Sequence, residues 1–213
     1  MANPQVFGPA YSTFTRTVRL ALEEKGQAYD LIEVDILHGA HQRPEHLARH
    51  PFGKVPAFRH GDLQLFETDP ITRYVNDAFA GPDLEPPDPR RRALMGQAIA
   101  VIAGYAYPAI VGQIFMQRVV APMVGGTADE TVIQDAVPKA ETCIRVLEQM
   151  AQGHACLVSE GLSRADLFLI PIYDYLVQTP EGQQLVAGAP NIQRWWQNVR
   201  SRPAVETTRP QLG

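Results

Sequence analysis

Gln5-Val6-Phe7-Gly8-Pro9-Ala10-Tyr11-Ser12-Thr13-Phe14-Thr15-Arg16-Thr17-Val18 decides the fold of the first part of the chain. Gln5–Gly8 is a short strand candidate, and Pro9-Ala10-Tyr11-Ser12 is a turn. Phe14, Val18, Ala21 and Leu22 then recur at helical spacing, giving one apolar face that stops at Lys25-Gly26. Working outward, Tyr29–Ile36 predicts a second strand. Val55–Phe58 and Leu63–Phe66 flank His60-Gly61-Asp62, which predicts a hairpin. Asp69 is the expected N-cap of a second helix, with Pro70 in its first position and Ile71, Tyr74, Val75 and Ala78 as its stripe. The order β-α-β followed by β-β-α predicts a small mixed sheet with one parallel crossover.

The segment from Gly81 to Pro89 holds four prolines and little apolar content, so it is expected to be a linker. Everything beyond it carries helical periodicity. Val137, Ala140, Ile144 and Leu147 form one stripe, and Ile192, Trp195, Trp196 and Val199 another. Between them, Ser163-Arg164-Ala165-Asp166 predicts a capping box, with Leu162 and Leu167 spaced as its hydrophobic staple. The expected boundaries are an α/β domain over 1–81, a linker over 82–90 and an all-helical domain over 91–213.

Composition narrows the function classes. The 213 residues include 19 basic and 23 acidic side chains, for a net charge of −4, which argues against a general nucleic-acid binder. Two cysteines cannot frame a multi-bridge secreted scaffold, and Met1–Val6 lacks the features of a signal peptide, so a reducing, cytoplasmic setting is expected. Ala93 to Gln117 has no charged residue and is long enough to span a bilayer. It also contains Gly96, Gln97, Gly104, Pro108, Gly112 and Gln113, and the expected reading is a buried core helix kinked at Pro108, with no membrane partner.

Ser12 sits where a strand hands over to a helix, beside unpaired N–H groups and the positive end of the helix dipole. Such a place stabilises an anion, including a thiolate, and it is equally the place of an ordinary N-cap. Val55-Pro56, at the start of a strand, could present a backbone edge to an extended peptide. Glu67-Thr68 directly precedes a helix, where a carboxylate and a hydroxyl could hold the two ends of an amino acid or simply cap. His38, His41 and His46 invite a metal, but Gly39 and Pro44 interrupt any common helix, and no metal is expected. Cys143 and Cys156 are expected to be small buried hydrophobes.

The stretches Val6–Val18, Pro51-Phe52-Gly53-Lys54-Val55-Pro56-Ala57-Phe58 and Phe66-Glu67-Thr68-Asp69-Pro70-Ile71-Thr72-Arg73-Tyr74 resemble the glutathione transferase family, in particular its serine-type phi class. The Ser163–Asp166 box and the ending from Trp195 to Arg202-Pro203 resemble its helical domain. The resemblance implies a thioredoxin-like N-terminal domain, a helical-bundle C-terminal domain, a homodimer, and glutathione as co-substrate. It further implies that Ser12 activates the glutathione sulfur and that Pro56 is cis, with Val55 pairing to the cysteinyl part. Glu67 and Thr68 would hold the γ-glutamyl end, and His41 and Lys54 the glycyl carboxylate. Phe7 stands where tyrosine-type members carry their catalytic Tyr, and no Cys lies between 10 and 15.

Three positions depart from the family pattern: Thr68 for Ser, Asp69-Pro70 where a basic or neutral residue and Ala are usual, and His50 for Asn. Tyr11 and Thr13 are rival hydroxyls, and Tyr11 is expected to line an electrophile pocket with Tyr107, Ile110 and Phe115. The implied activity is conjugation of glutathione to hydrophobic electrophiles. A non-catalytic glutathione or apolar-ligand binder, or a glutathione-dependent peroxidase, isomerase or dehalogenase, are the alternatives.

Overall fold

The computed structural model describes residues 3–210 of the chain. They fall into two compact units, one running up to Leu84 and including the tail from Arg202, the other spanning Glu85–Ser201.

In the first unit, β1 (Gln5–Phe7) leads into α1 (Thr13–Glu24) and β2 (Asp30–Ile32). A 3-10 turn (Ala40–Gln42) and the short α2 (Pro44–Leu47) precede β3 (Ala57–His60), β4 (Leu63–Phe66) and α3 (Thr68–Ala78). The sheet order is β2-β1-β3-β4, with β1 parallel to β2 and the other pairs antiparallel. Val6 and Phe58 are register partners, both almost fully buried, and Val18, Ala21, Leu22, Ile71 and Val75 complete the interior with no exposed surface. The hairpin turns through Gly61, whose φ of 62° suits the first loop position of a type II′ turn.

Several local expectations need correction. β2 is shorter than Tyr29–Ile36, because Val34 leaves the ladder to pack with Phe7 and Ala57. β3 begins at Ala57, after Pro56, whose ring has no N–H to give a ladder. The N-cap of α3 is Glu67 and not Asp69, which puts Pro70 within the first turn, where a missing amide breaks no intrahelical bond. The linker begins later than 82, since Lys25 Nζ donates to the Pro82 carbonyl at 3.0 Å and Leu84 is fully buried.

The second unit opens with α4 (Pro89–Met123), capped by Asp88, whose carboxylate accepts from the Arg90 and Arg91 amides. Pro108 cannot donate to the preceding turn, and around it the winding opens to π geometry over Ile102–Val120. α4 packs against α5 (Glu130–Met150) and α6 (Arg164–Leu176). α7 (Pro180–Ala187) and α8 (Pro190–Val199) complete the unit. On α5 the buried stripe is Ile133, Ala136, Ala140, Cys143, Ile144 and Leu147, with Val137 at its half-buried margin.

The capping box before α6 is present and does more than cap. Asp166, fully buried, accepts from Ser163 N and Ser163 Oγ at 2.7 Å each, and from Leu157 N and Trp195 Nε1 at 2.8 Å each.

The all-helical part ends at Ser201, short of the expected 213, because α9 (Pro203–Thr207) belongs to the first unit. Arg16 of α1, only 1% exposed, donates to the Val205 carbonyl at 3.2 Å and to Thr208 Oγ1 at 3.4 Å. Arg202 closes a two-pronged pair with Glu24 at 2.7 and 2.6 Å.

Candidate active site

Strand register brings the chain segments that lead to the expected site residues out at one edge of the sheet. Phe7 pairs with Ile32 on one side and Ala57 on the other, and Ala57 pairs with Phe66. The strand directions then make the turn after Phe7, the loop after Ile32, the approach to Ala57 and the exit from Phe66 leave the same edge. Ser12, Lys54-Val55-Pro56 and Glu67 lie on those connections, Thr68 opens the helix that follows the last of them, and His41 lies on the 3-10 turn beyond Ile32. Gly8 tightens the arrangement. A Cβ there would collide with Thr15 Oγ1 and lie 3.2 Å from Val55 Cβ, so the first turn of α1 and Val55 approach through its missing side chain.

Ser12 is the N-cap of α1, and its Oγ accepts from the Thr15 amide at 3.3 Å. This use occupies a lone pair and leaves the hydroxyl proton free to donate, because a serine hydroxyl has one donor and two acceptor positions. Capping and activating a sulfur are therefore compatible at the same atom. Thr13 is 5% exposed, which withdraws its hydroxyl as a rival. Tyr11 is half-buried, and burial, followed by the charges of Glu33 and Asp35, pushes its phenol up, so it stays a neutral donor at physiological pH.

The Val55–Pro56 bond is cis, as the resemblance implied. Val55 packs beside Phe7, Val34 and Ala57 and precedes the first ladder pair of β3. Glu67 is exposed, with φ 70° and ψ 129°, the one non-glycine positive φ among the described residues. A non-glycine residue in that region costs about 1–3 kcal/mol and persists only where its surroundings enforce it. Thr68, buried, opens α3, and the half-buried Asp69 follows in the same turn. Lys54 is exposed. His41 is half-buried, and its Nδ1 is enclosed with no hydrogen-bond partner among the described residues.

Other histidines have different employment. The His38 backbone amide, at 3.0 Å, and then the His38 ring, at 2.7 Å, hold the Asp35 carboxylate below its usual range. His46 bonds the Lys54 carbonyl at 2.7 Å and stacks on His50. Burial lowers the His50 pKa against the opposing pull of Glu67. Among the described residues, no three His, Cys, Asp or Glu side chains converge as a metal-holding group. Gln42 and His46, which sequence reading gives no part in the glutathione site, lie against the Gly53 and Lys54 carbonyls of the loop before Pro56.

The expected electrophile pocket needs correction at two positions. Ile110 has no exposed surface, and Phe115, 3% exposed, is stacked on Tyr175 at 4.1 Å, so both belong to the interior of the second unit. Tyr107 is half-buried, and burial raises its phenol pKa. On the same helix, Tyr105 is 68% exposed and Met116 42%.

Comparison with known proteins gives this edge its context. Residues 6–83 match the N-terminal domain of glutathione S-transferases, and residues 100–203 match the C-terminal domain. Glutathione S-transferase F7 of Arabidopsis thaliana is 30% identical over 207 residues, covering 97% of this chain and 99% of the relative. Glutathione S-transferase 4 of Zea mays is 36% identical over 211 residues, covering 96% and 92%. Among solved structures, glutathione transferase F7 of Populus trichocarpa superposes with a TM-score of 0.86 at 33% identity, covering 96% of this chain and 97% of that one. A maize glutathione S-transferase I in complex with an atrazine glutathione conjugate gives 0.84 at 30% identity, covering 97% and 96%. With both domain matches in register with the two units, and full-length relatives of the F (phi) type, the chain belongs to the glutathione S-transferase family.

Proposed function

We propose that this chain holds glutathione along the sheet edge, ionises its thiol at Ser12 and adds the thiolate to hydrophobic electrophiles, a detoxification chemistry. The observation that carries the reading is Ser12 Oγ, which caps α1 through a lone pair and keeps a proton to donate to sulfur. Glu67 and Thr68 bind the γ-glutamyl end, the Val55 backbone the cysteinyl part, and His41 and Lys54 the glycyl carboxylate. A free thiol with a pKa near 8.5 is only a few per cent ionised at pH 7, and each unit of lowering is about 1.4 kcal/mol in favour of thiolate. A shift of one to two units therefore raises the nucleophile about tenfold or more.

Half-buried Tyr11 supports an acceptor subsite on the first unit, and Tyr107, with the exposed Tyr105 and Met116 on the same helix, supports one on the second. The test is a thiolate difference spectrum with glutathione at neutral pH. Wild type shows a saturable band, and Ser12→Ala loses it while retaining glutathione binding by calorimetry. Binding without a band in wild type favours a carrier, a reading that Asp69 supports through like-charge repulsion at the start of α3. No binding ends the proposal.

A homodimer is supported by the exposed aromatic pair Phe52 and Phe66, 6.2 Å apart, and light scattering decides it. Cytoplasmic, membrane-free behaviour is supported by the burial of Ile102, Ala106, Ile110 and Ile114 on α4. Detergent-free recovery from the soluble fraction tests it.

A further inference from the structure

His46 is 3% exposed, yet it is neither a sheet residue nor one that the glutathione reading uses. It sits on α2, and Gln42 precedes it on the 3-10 turn. Together the two hold consecutive carbonyls of the loop ahead of Pro56, with Gln42 Nε2 3.4 Å from Gly53 O and His46 Nε2 2.7 Å from Lys54 O. A carbonyl oxygen only accepts, so the His46 ring must carry its proton on Nε2. Its Nδ1 is buried with no hydrogen-bond partner among the described residues, and its ring centroid lies 6.4 Å from that of the nearly parallel His50 ring, itself 2% exposed. The imidazole is thus fixed by packing on one side and by a short hydrogen bond on the other.

The consequence passes through a single peptide plane. The Lys54 carbonyl and the Val55 N–H belong to the same peptide unit, which is trans. In a trans peptide the C=O and N–H point to opposite sides of the chain. Holding the carbonyl toward His46 therefore turns the Val55 N–H away from α2. We infer that His46 is a positioning residue for glutathione, setting the direction of the Val55 amide through the Lys54 carbonyl without touching the ligand. The inference rests on the proposed use of Val55 by the cysteinyl part of glutathione. A ligand amide that pairs with a backbone edge is sensitive to such a tilt, because hydrogen bonds weaken steeply as they bend.

The test uses the full chain and glutathione itself. His46→Phe keeps a ring against His50 and removes the donor. His46→Gln places an amide N–H near the position of Nε2, whereas His46→Asn carries the same group but falls short of Lys54. The expected result is glutathione binding weakened about tenfold in His46→Phe and His46→Asn, the loss of about one neutral hydrogen bond, and recovered to within about threefold in His46→Gln. The KM for glutathione rises in step, while kcat, the KM for the electrophile and the Ser12-dependent thiolate band at saturation hold. If the Phe variant does not fold, the Gln and Asn pair decides, since they differ in reach alone. Equal binding by all four proteins overturns the inference and leaves the proposed function standing. So does a fall in kcat with an unchanged KM, or a Gln variant no better than Asn. A wild type that does not bind glutathione overturns both.

Discussion

Replacing Asp166 with Ala removes the acceptor for four hydrogen bonds inside the second unit. The donors are the backbone amides of Leu157 and Ser163, the Ser163 hydroxyl and the Trp195 indole, at 2.7 to 2.8 Å. The hydroxyl can turn to another acceptor, but the two amides and the indole cannot. An unsatisfied buried donor costs about 1–3 kcal/mol, so three of them set a floor of about 3 kcal/mol even if each falls at the low end. Burial pushes the Asp166 carboxyl up and the four donors pull it down, with burial the larger effect, so part of the charge's own desolvation cost is relieved when it is removed. That relief keeps the expected loss near the floor. Asp166→Asn should cost less, about 1–2 kcal/mol. Its remaining oxygen can serve Leu157 and Trp195, while its NH2 group faces the Ser163 amide, donor against donor. Urea unfolding followed by tryptophan fluorescence and circular dichroism measures both. The order wild type, Asn, Ala with a gap of about 3 kcal/mol to Ala supports the accounting. A loss below about 1 kcal/mol for Asp166→Ala would refute it, and would mean that water or a neighbouring carbonyl takes over the orphaned donors.

Glu67→Gly should relieve the positive φ at that residue, gaining about 1–3 kcal/mol against roughly 1 kcal/mol of lost chain stiffness in the unfolded state. Its Tm is expected to equal or exceed that of wild type while calorimetry shows glutathione binding at least tenfold weaker, and a clear drop in Tm would sink the strain argument. Acid stability tests another cluster. Arg118 donates to Glu181 at 2.6 and 2.9 Å and holds that carboxyl below its ordinary 4.5. Because the folded value is depressed, the contribution is complete above the unfolded pKa and is lost as pH falls through the folded one. Both side chains keep some solvent exposure, 24% for Arg118 and 16% for Glu181, so about 1 kcal/mol is expected. The Tm gap between wild type and Glu181→Gln should be present at neutral pH and close below about pH 4. A gap that persists in acid means the carboxylate's charge contributes nothing.

The elements that sequence alone made legible share one property: their decisive residues are close in the chain. The α1 face at Val18, Ala21 and Leu22, the hairpin at Gly61 and the capping box at Ser163 and Asp166 are all set by neighbours within a few residues. What escaped was long-range or contrary to local preference. Arg16 draws the tail into the first unit through Val205 and Thr208, 189 and 192 positions away, and no periodicity announces such a pair. Asp69-Pro70 reads as a cap followed by a first helical residue, yet the true cap is Glu67 in a conformation that propensity argues against. A residue held in a strained backbone is invisible to propensity for the same reason that it is informative once seen. Ile110 and Phe115 were misplaced for another reason. α4 is apolar around most of its circumference, and a stripe with no polar counterpart does not say which side chains end in the interior.

The placement of the candidate site follows from strand register more than from any one motif. Phe7, Ala57 and Phe66 lie in one row across the sheet, and a strand shifted by a single residue would also turn its side chains to the other face. Phe7 and Ala57 are buried with Val34, and Val6 and Phe58 are buried on the opposite face, so both faces resist the slip. The core therefore fixes the edge from which Ser12, Val55 and Glu67 depart. Gly8 then lets the first turn of α1 close onto Val55, where any larger residue would meet Thr15 and push the cap away. Ser12 acquires its chemistry from that closure. Its hydroxyl accepts from α1, stands at the positive end of the helix, and retains one proton to give, so the side chain that starts the helix is also equipped to stabilise an anion beside it.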